Sequence, residues 1–205
     1  MQRKAWFVVL VSLLIGLCAN KGFAESPTQP STLVATRFST NEIAFTTGYG
    51  YSLRRKAFEE HNFSIYPFAV RYGWNLNRPL GLSGASSALY ATVEPFVNMI
   101  VGKEQGREVG CGVGVRYRRA VSQHANFFAE GSVAPMELTI NTPEQGAAGF
   151  NFLDQFGVGL QHEVGQRTHL FVGYRFRHIS HAGLIDRSNG GINSHGVMIG
   201  ISLIQ

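Results

Sequence analysis

The sequence predicts an all-β fold: an eight-stranded antiparallel β-barrel of the outer membrane. Three observations predict it. From Glu42 onward apolar residues alternate with small or polar ones in runs of about ten, the length a tilted strand needs to cross a bilayer. The runs number eight, and an even count returns both chain ends to the periplasmic side. Apart from the N-terminus, no stretch approaches the roughly 18 apolar residues of a membrane helix, although mean hydropathy is balanced at -0.00.

The N-terminus reads as an export signal. Arg3 and Lys4 lead an apolar core from Ala5 to Leu17, and Gly22 and Ala24 take the small-residue positions before a cut after Ala24. Residues 1–24 are then the signal peptide, 25–41 a periplasmic N-terminal segment and 42–205 the barrel. Cys18 follows Leu17 where a lipid-anchor site would want a small residue, which argues against acylation. Cleavage removes Arg3, Lys4 and Lys21 but no acid, so the formal charge falls from +5 to +2. A nucleic-acid partner, which the high pI invites, loses its support. Only Cys111 survives cleavage, so no internal disulfide forms despite the oxidising compartment.

Period-two geometry assigns the faces of each strand. In the first, Ile43, Phe45, Thr47, Tyr49, Tyr51 and Leu53 face lipid while Ala44, Thr46, Gly48, Gly50 and Ser52 face the lumen. Near 63–74, Tyr66, Phe68, Val70, Tyr72 and Trp74 face outward against Ala69, Arg71 and Gly73. Near 88–99, Leu89, Ala91, Val93, Val97 and Met99 oppose Tyr90, Thr92, Glu94 and Asn98. The fourth, near 108–118, sets Val109, Cys111, Val113, Val115 and Tyr117 against glycines, Arg116 and Arg118. The fifth, near 124–134, is ambiguous, and Phe127, Ala129 and Val133 are assigned outward. Near 152–163, Phe156, Val158 and Leu160 face lipid; near 167–180, Leu170, Val172, Tyr174 and Phe176; near 193–204, Val197, Ile199, Ile201 and Leu203.

The inward set contains Glu94, Arg116, Arg118, Glu130 and Arg175. A soluble sandwich would turn such charges outward, whereas a narrow barrel fills its lumen with side chains that can pair there. Pro67 and Pro95 fall inside strands and each removes a ladder donor, so a bulge is expected at both. The chain stops at Gln205 rather than on an aromatic residue. The longest outward link is expected at about Pro135–Asn151, with a tight turn near Val164–Gln166; Asn75–Ser87 is long for a periplasmic link.

The run "YRFRHISHAGL" holds the candidate site. The parity of Tyr174 and Phe176 continues to His178 and Ser180, which therefore project toward lipid at the extracellular rim. A polar pair facing lipid is costly unless it is paired or useful. Serine becomes a nucleophile when an adjacent base takes its proton. The next strand begins near Asn193 on the same face, which puts Asn193 and His195 within reach of His178, and an Asn can fix the tautomer and aim of an imidazole. A Ser180, His178 and Asn193 site and a pair of ordinary interfacial residues both fit this spacing.

"RHISHAGL", followed by "NGGIN" and a terminal alternating strand, resembles the PagL family of lipid A 3-O-deacylases, also called acyloxyacyl hydrolases. The specific resemblance covers roughly Leu153 to Leu203 and includes "DQFGVGL". It implies an eight-stranded outer-membrane barrel with a lipid-facing site, Ser180 as nucleophile and His178 as general base. Lipid A or lipopolysaccharide would be the substrate, among outer-membrane lipids, and a homodimer is one assembly open to such a barrel. The implied reaction removes the 3-hydroxyacyl chain at position 3 through an acyl-enzyme, with an oxyanion held by backbone amides of His181, Ala182 and Gly183 and with no metal or organic cofactor. Two departures stand out: Asn193 occupies the region of the family's Glu, and His181 replaces the Asn that follows its Ser. Asp186 is a candidate for the missing charge. Arg54, Arg55, Lys56, Lys103, Arg107 and Arg187 fall in outward loops where lipid A phosphates could meet them, as solvated loop charges also would.

The rival reading is a non-enzymatic barrel, OmpA- or OmpW-like, structural or binding a small ligand. His162 and His169 read as interfacial or lumen groups, and Cys111 as a small apolar residue.

Overall fold

The computed structural model describes residues 38, 41–53, 61–82 and 86–205. The expected signal peptide and nearly all of the expected periplasmic segment lie outside the described residues, as do Arg54, Arg55 and Lys56. Eight strands follow in chain order: β1 (Glu42–Leu53), β2 (Phe63–Asn75), β3 (Ser87–Gly102), β4 (Gly106–Ala120), β5 (Ala125–Leu138), β6 (Gly149–Gly165), β7 (Thr168–Ser180) and β8 (Ile192–Ile204). Neighbours pair antiparallel and β1 closes on β8. Closure leaves no edge strand, the condition for a sheet to sit in hydrocarbon without orphaned backbone groups.

The expected facing holds in every strand. The outer surface is a belt that includes Phe45, Phe68, Val97, Val113, Leu160, Val172 and Ile199, all exposed. The ambiguous fifth strand resolves as assigned, with Phe128 and Asn126 buried and Phe127 exposed. Cys111 is a free, exposed thiol in this apolar belt, while His169 is buried in the lumen and His162 is exposed.

The lumen is layered. Arg71 bridges Glu42 and Glu130, both at 3.1 Å; Arg175 bridges Glu130 at 2.6 Å and Glu94 at 2.9 Å; Arg118 meets Glu42 at 2.6 Å. The guanidinium of Arg116 pairs with Glu130 at 2.5 Å and lies 3.7 Å from the centre of the Phe128 ring. Beyond this network a second buried ion pair joins Arg177 to Glu108, which also accepts from Asn98 at 2.7 Å. Beside it lies a buried apolar cluster that includes Phe63, Ile100, Leu138, Leu153, Ile179 and Ile192. These residues stand at the strand ends that carry the links 54–62, 103–105, 139–148 and 181–191. The barrel wall there is packed from within like a soluble barrel, a firm base for anything built on its rim. Glu130 receives three arginines, so Glu130→Ala leaves buried cations uncompensated and is expected to cost about 3–5 kcal/mol. Urea unfolding of the refolded barrel, followed by the gel-mobility difference between folded and unfolded forms, measures it.

Two expectations need correction. No bulge forms at Pro67 or Pro95. Pairing of β2 with β1 lapses opposite Tyr66 and Pro67 and resumes in the same register, Thr47 with Phe68 and Gly50 with Ile65. Pairing of β3 with β2 lapses likewise at Glu94 and Pro95, and pairing of β5 with β4 at Ala134 and Pro135. A strand residue aims its N–H and C=O at one neighbour only, so each proline weakens one side while the other pairs normally: Pro67 with Asn98, Pro95 with Cys111, Pro135 with Phe152. The second correction follows from the first. The expected loop Pro135–Asn151 shrinks to 139–148, because Pro135 sits within β5, whose buried Ala134, Met136 and Leu138 alternate with exposed Pro135 and Glu137.

At the opposite end, 121–124 and 166–167 are short links. After β2, Asn77 is held against the start of β3: it donates to Ser87 O at 2.7 Å and accepts from Leu89 N–H at 2.9 Å.

Candidate active site

Strand register decides which side chains meet at the rim. β7 pairs with β8 so that His178 stands opposite Asn193 and Phe176 opposite His195. β7 pairs with β6 so that His178 stands opposite Asp154 and Ser180 opposite Phe152. Arg175, Arg177 and Ile179 are buried inside the barrel, so the alternate residues from Leu170 to Ser180 face outward. His178 and Ser180 are neighbours on that outer face, both half-buried, about 6.6 Å apart along the strand.

The imidazole is held from two directions. Its Nδ1–H donates to Asn193 Oδ1 at 2.7 Å, which leaves Nε2 with the lone pair in the neutral ring. Gly191, at φ +78°, lies against the ring: a Cβ added there would come 2.7 Å from Cε1 and 3.3 Å from Nε2. His195 takes a different partner. Its Nδ1 is hydrogen-bonded to the Tyr174 hydroxyl, and its ring meets that of Phe176 edge-on at 5.3 Å.

Directly after Ser180 the chain turns back. The Leu184 N–H donates to His181 O at 3.0 Å, and the two residues between, Ala182 (φ 54°) and Gly183 (φ 73°), are both left-handed, as in a type I′ turn. Ala182 is the one non-glycine residue with positive φ among the described residues, a conformation that costs roughly 1–2 kcal/mol for an L-residue. The turn leaves the amides of Ala182 and Gly183 without a hydrogen bond among the described residues. The third expected oxyanion donor is occupied: the His181 amide donates to Asn189 Oδ1 at 3.0 Å. The His181 ring, fully buried, is hydrogen-bonded through Nε2 to Ser188 O at 3.0 Å. His181 therefore shapes the loop from inside.

Arg187 fastens that loop to the neighbouring one. Its guanidinium donates to Ala147 O at 2.7 Å, Ala148 O at 3.0 Å and Phe150 O at 2.5 Å. Both of its terminal nitrogens thus serve carbonyl groups, whereas Lys103 and Arg107 are exposed at the same end of the barrel. Asp186 is exposed, and no contact joins it to His178 among the described residues.

Two further residues border the site, and the motif reading did not single them out. Phe152, opposite Ser180, meets Phe150 edge-to-face at 5.0 Å and forms an aromatic wall on β6. Asp154 stands directly opposite His178 across β6 and β7 and is half-buried. The signal for both was present: the outward parity of Phe156, Val158 and Leu160, continued upstream, puts Asp154 and Phe152 on the same face.

Comparison with known proteins agrees with this architecture. The family model described as lipid A 3-O-deacylase (PagL) matches residues 47–202. Among solved structures, that of the outer membrane enzyme PagL is similar with a TM-score of 0.56 at 20% identity, covering 78% of this chain and 97% of that one. Neisserial surface protein A is similar with a TM-score of 0.56 at 10% identity, covering 80% and 96%. No curated protein matches the chain. The eight-stranded closed barrel is an outer-membrane protein, and with the family model spanning most of its length the chain belongs to the PagL family of lipid A 3-O-deacylases.

Proposed function

We propose that this protein is a lipid A deacylase that hydrolyses the ester of the 3-hydroxyacyl chain at position 3, with Ser180 as nucleophile and His178 as general base. One observation carries the assignment to these residues: an imidazole already oriented by Asn193 shares an outward, lipid-facing surface with a serine hydroxyl. Polar groups in that position are costly unless they serve a partner in the membrane.

In the reaction, Ser180 Oγ attacks the ester carbonyl while its proton passes to His178 Nε2. Ser180 Oγ has no hydrogen bond among the described residues, so rotation about χ1 brings it toward the ring, a contact that often tightens only with substrate bound. The tetrahedral oxyanion is received by the amides of Ala182 and Gly183. Collapse expels the sugar hydroxyl, which takes the proton from His178, and leaves the fatty acyl group on Ser180. Water then gives a proton to His178 and attacks the acyl-enzyme, releasing the 3-hydroxy fatty acid and restoring Ser180. Phe150 and Phe152 form the wall along which the acyl chain lies, and the bilayer delivers the substrate. Residues 1–24 are removed on export in this reading.

The experiment is a mass spectrum of lipid A from cells expressing the protein and from cells carrying the empty vector. Loss of the mass of one 3-hydroxyacyl chain is expected with the protein alone. Unchanged lipid A from a correctly inserted barrel sinks the reading and leaves a non-enzymatic barrel.

A further inference from the structure

His178 is oriented by a neutral carboxamide, and a neutral partner leaves the positive charge that forms on the ring during catalysis uncompensated. Among the described residues, one carboxylate stands directly across from the ring. Resting on the Ser180 and His178 reading above, we propose that Asp154 is a positioning residue whose carboxylate stabilises the His178 imidazolium from the β6 side, dividing between two strands the work of a single acid.

Three observations converge on Asp154. Its Cα partner across β6 and β7 is His178 itself, and directly opposed residues bring their Cβ atoms to about 4.5–5.5 Å. It shares the outward face with His178, between Phe152 and Phe156, while the lumen arginines that could neutralise a carboxylate point the other way. Its carboxylate accepts no hydrogen bond among the described residues. A half-buried carboxylate among aromatic rings is expensive unless an opposite charge meets it, and a proton arriving on His178 supplies that charge. Among the described residues the ionisable groups near His178 on the outer face are Asp154, directly opposite on β6, and the Tyr174 and His195 pair further along β7 and β8, bonded to each other. Asn193 and Ser180 stay neutral, and the loop offers Gly191.

The two flanking strands thus do different things. Asn193 sets the tautomer and aim of the ring; Asp154 favours its charged state. This predicts that the site tolerates Asn at position 193 because Asp stands at 154, and that an acid at 193 makes Asp154 dispensable.

The test uses the full-length barrel refolded in detergent micelles and a long-chain alkyl fluorophosphonate, which reports activation of Ser180 whatever the natural substrate. Asp154→Asn is expected to slow labelling about 100-fold and to lower kcat on lipid A with KM nearly unchanged. Asp154→Glu should retain most of the rate, and Asn193→Glu introduced into Asp154→Asn should restore it, a rescue that a purely structural aspartate would not allow. Gel mobility confirms that each variant is folded; should Asp154→Asn not insert, Asp154→Ser makes the same comparison. Equal labelling of wild type and Asp154→Asn, or absence of rescue by Asn193→Glu, overturns the proposal. Rapid labelling of the wild type with lipid A left intact sinks the deacylase reading while the role of Asp154 stands. A wild type that is not labelled at all removes both.

Discussion

Ser180→Ala and His178→Ala are each expected to lower deacylation by about 10⁴-fold or more, with the double variant no slower than the worse single one. In the proposed reaction the hydroxyl and the imidazole act as one unit: His178 removes the Ser180 proton, and without Ser180 the base has no nucleophile to activate. Groups that work in one step lose their effect together, so the losses fail to add. Independent roles, with Ser180 binding headgroups and His178 merely interfacial, would instead give small losses that multiply. Initial rates on purified lipid A in mixed micelles decide between them. Both side chains lie on the outer face and are half-buried, so each variant should fold, and unchanged gel mobility and urea midpoint check that. A residual rate similar to that of the single variants is also expected in the pair, supplied by the Ala182 and Gly183 amides and by substrate positioning.

Gly191→Val should cost about 100-fold or more in kcat while leaving the barrel folded. Position 191 has φ +78° and its Cβ would sit 2.7 Å from His178 Cε1, closer than two carbons can approach. The valine adds a β-branched residue to a left-handed backbone, which alone strains the loop by about 1–3 kcal/mol. Relief comes by moving the imidazole, and the ring cannot move without loosening its 2.7 Å bond to Asn193 Oδ1. A displacement of about 1 Å in a catalytic base costs on the order of 10²-fold. The residue precedes β8 and lies outside the ladder, so strand pairing is untouched. An active, folded Gly191→Val would remove His178 from the site, because no arrangement keeps both the new side chain and the present ring position.

Strand by strand, the barrel was legible in the chain because a membrane wall imposes a simple alternation. Lipid accepts only apolar side chains along the belt, so Val109, Cys111, Val113 and Val115 announce their face by period two alone, and the same count carries His178 and Ser180 outward. Where the wall leaves the belt, at Pro135 and Glu137, the outward residues are no longer apolar and the pattern fades, although the inward Ala134, Met136 and Leu138 continue the strand. The prolines misled for a related reason: a missing donor shows in the sequence, but which neighbour it faced does not, and a lapse on one side was enough.

By itself, then, the sequence determined the strand count, the two faces and the presence of a histidine and a serine on the lipid side, since each follows from local alternation against a fixed solvent. Only the tertiary structure decided the company they keep. That Asp154 stands across from His178, that Gly191 rests on its ring, that the His181 amide is spent on Asn189 while those of Ala182 and Gly183 remain open, all depend on register and loop path. Those are set by closing the whole barrel at once, a condition that no run of ten residues contains.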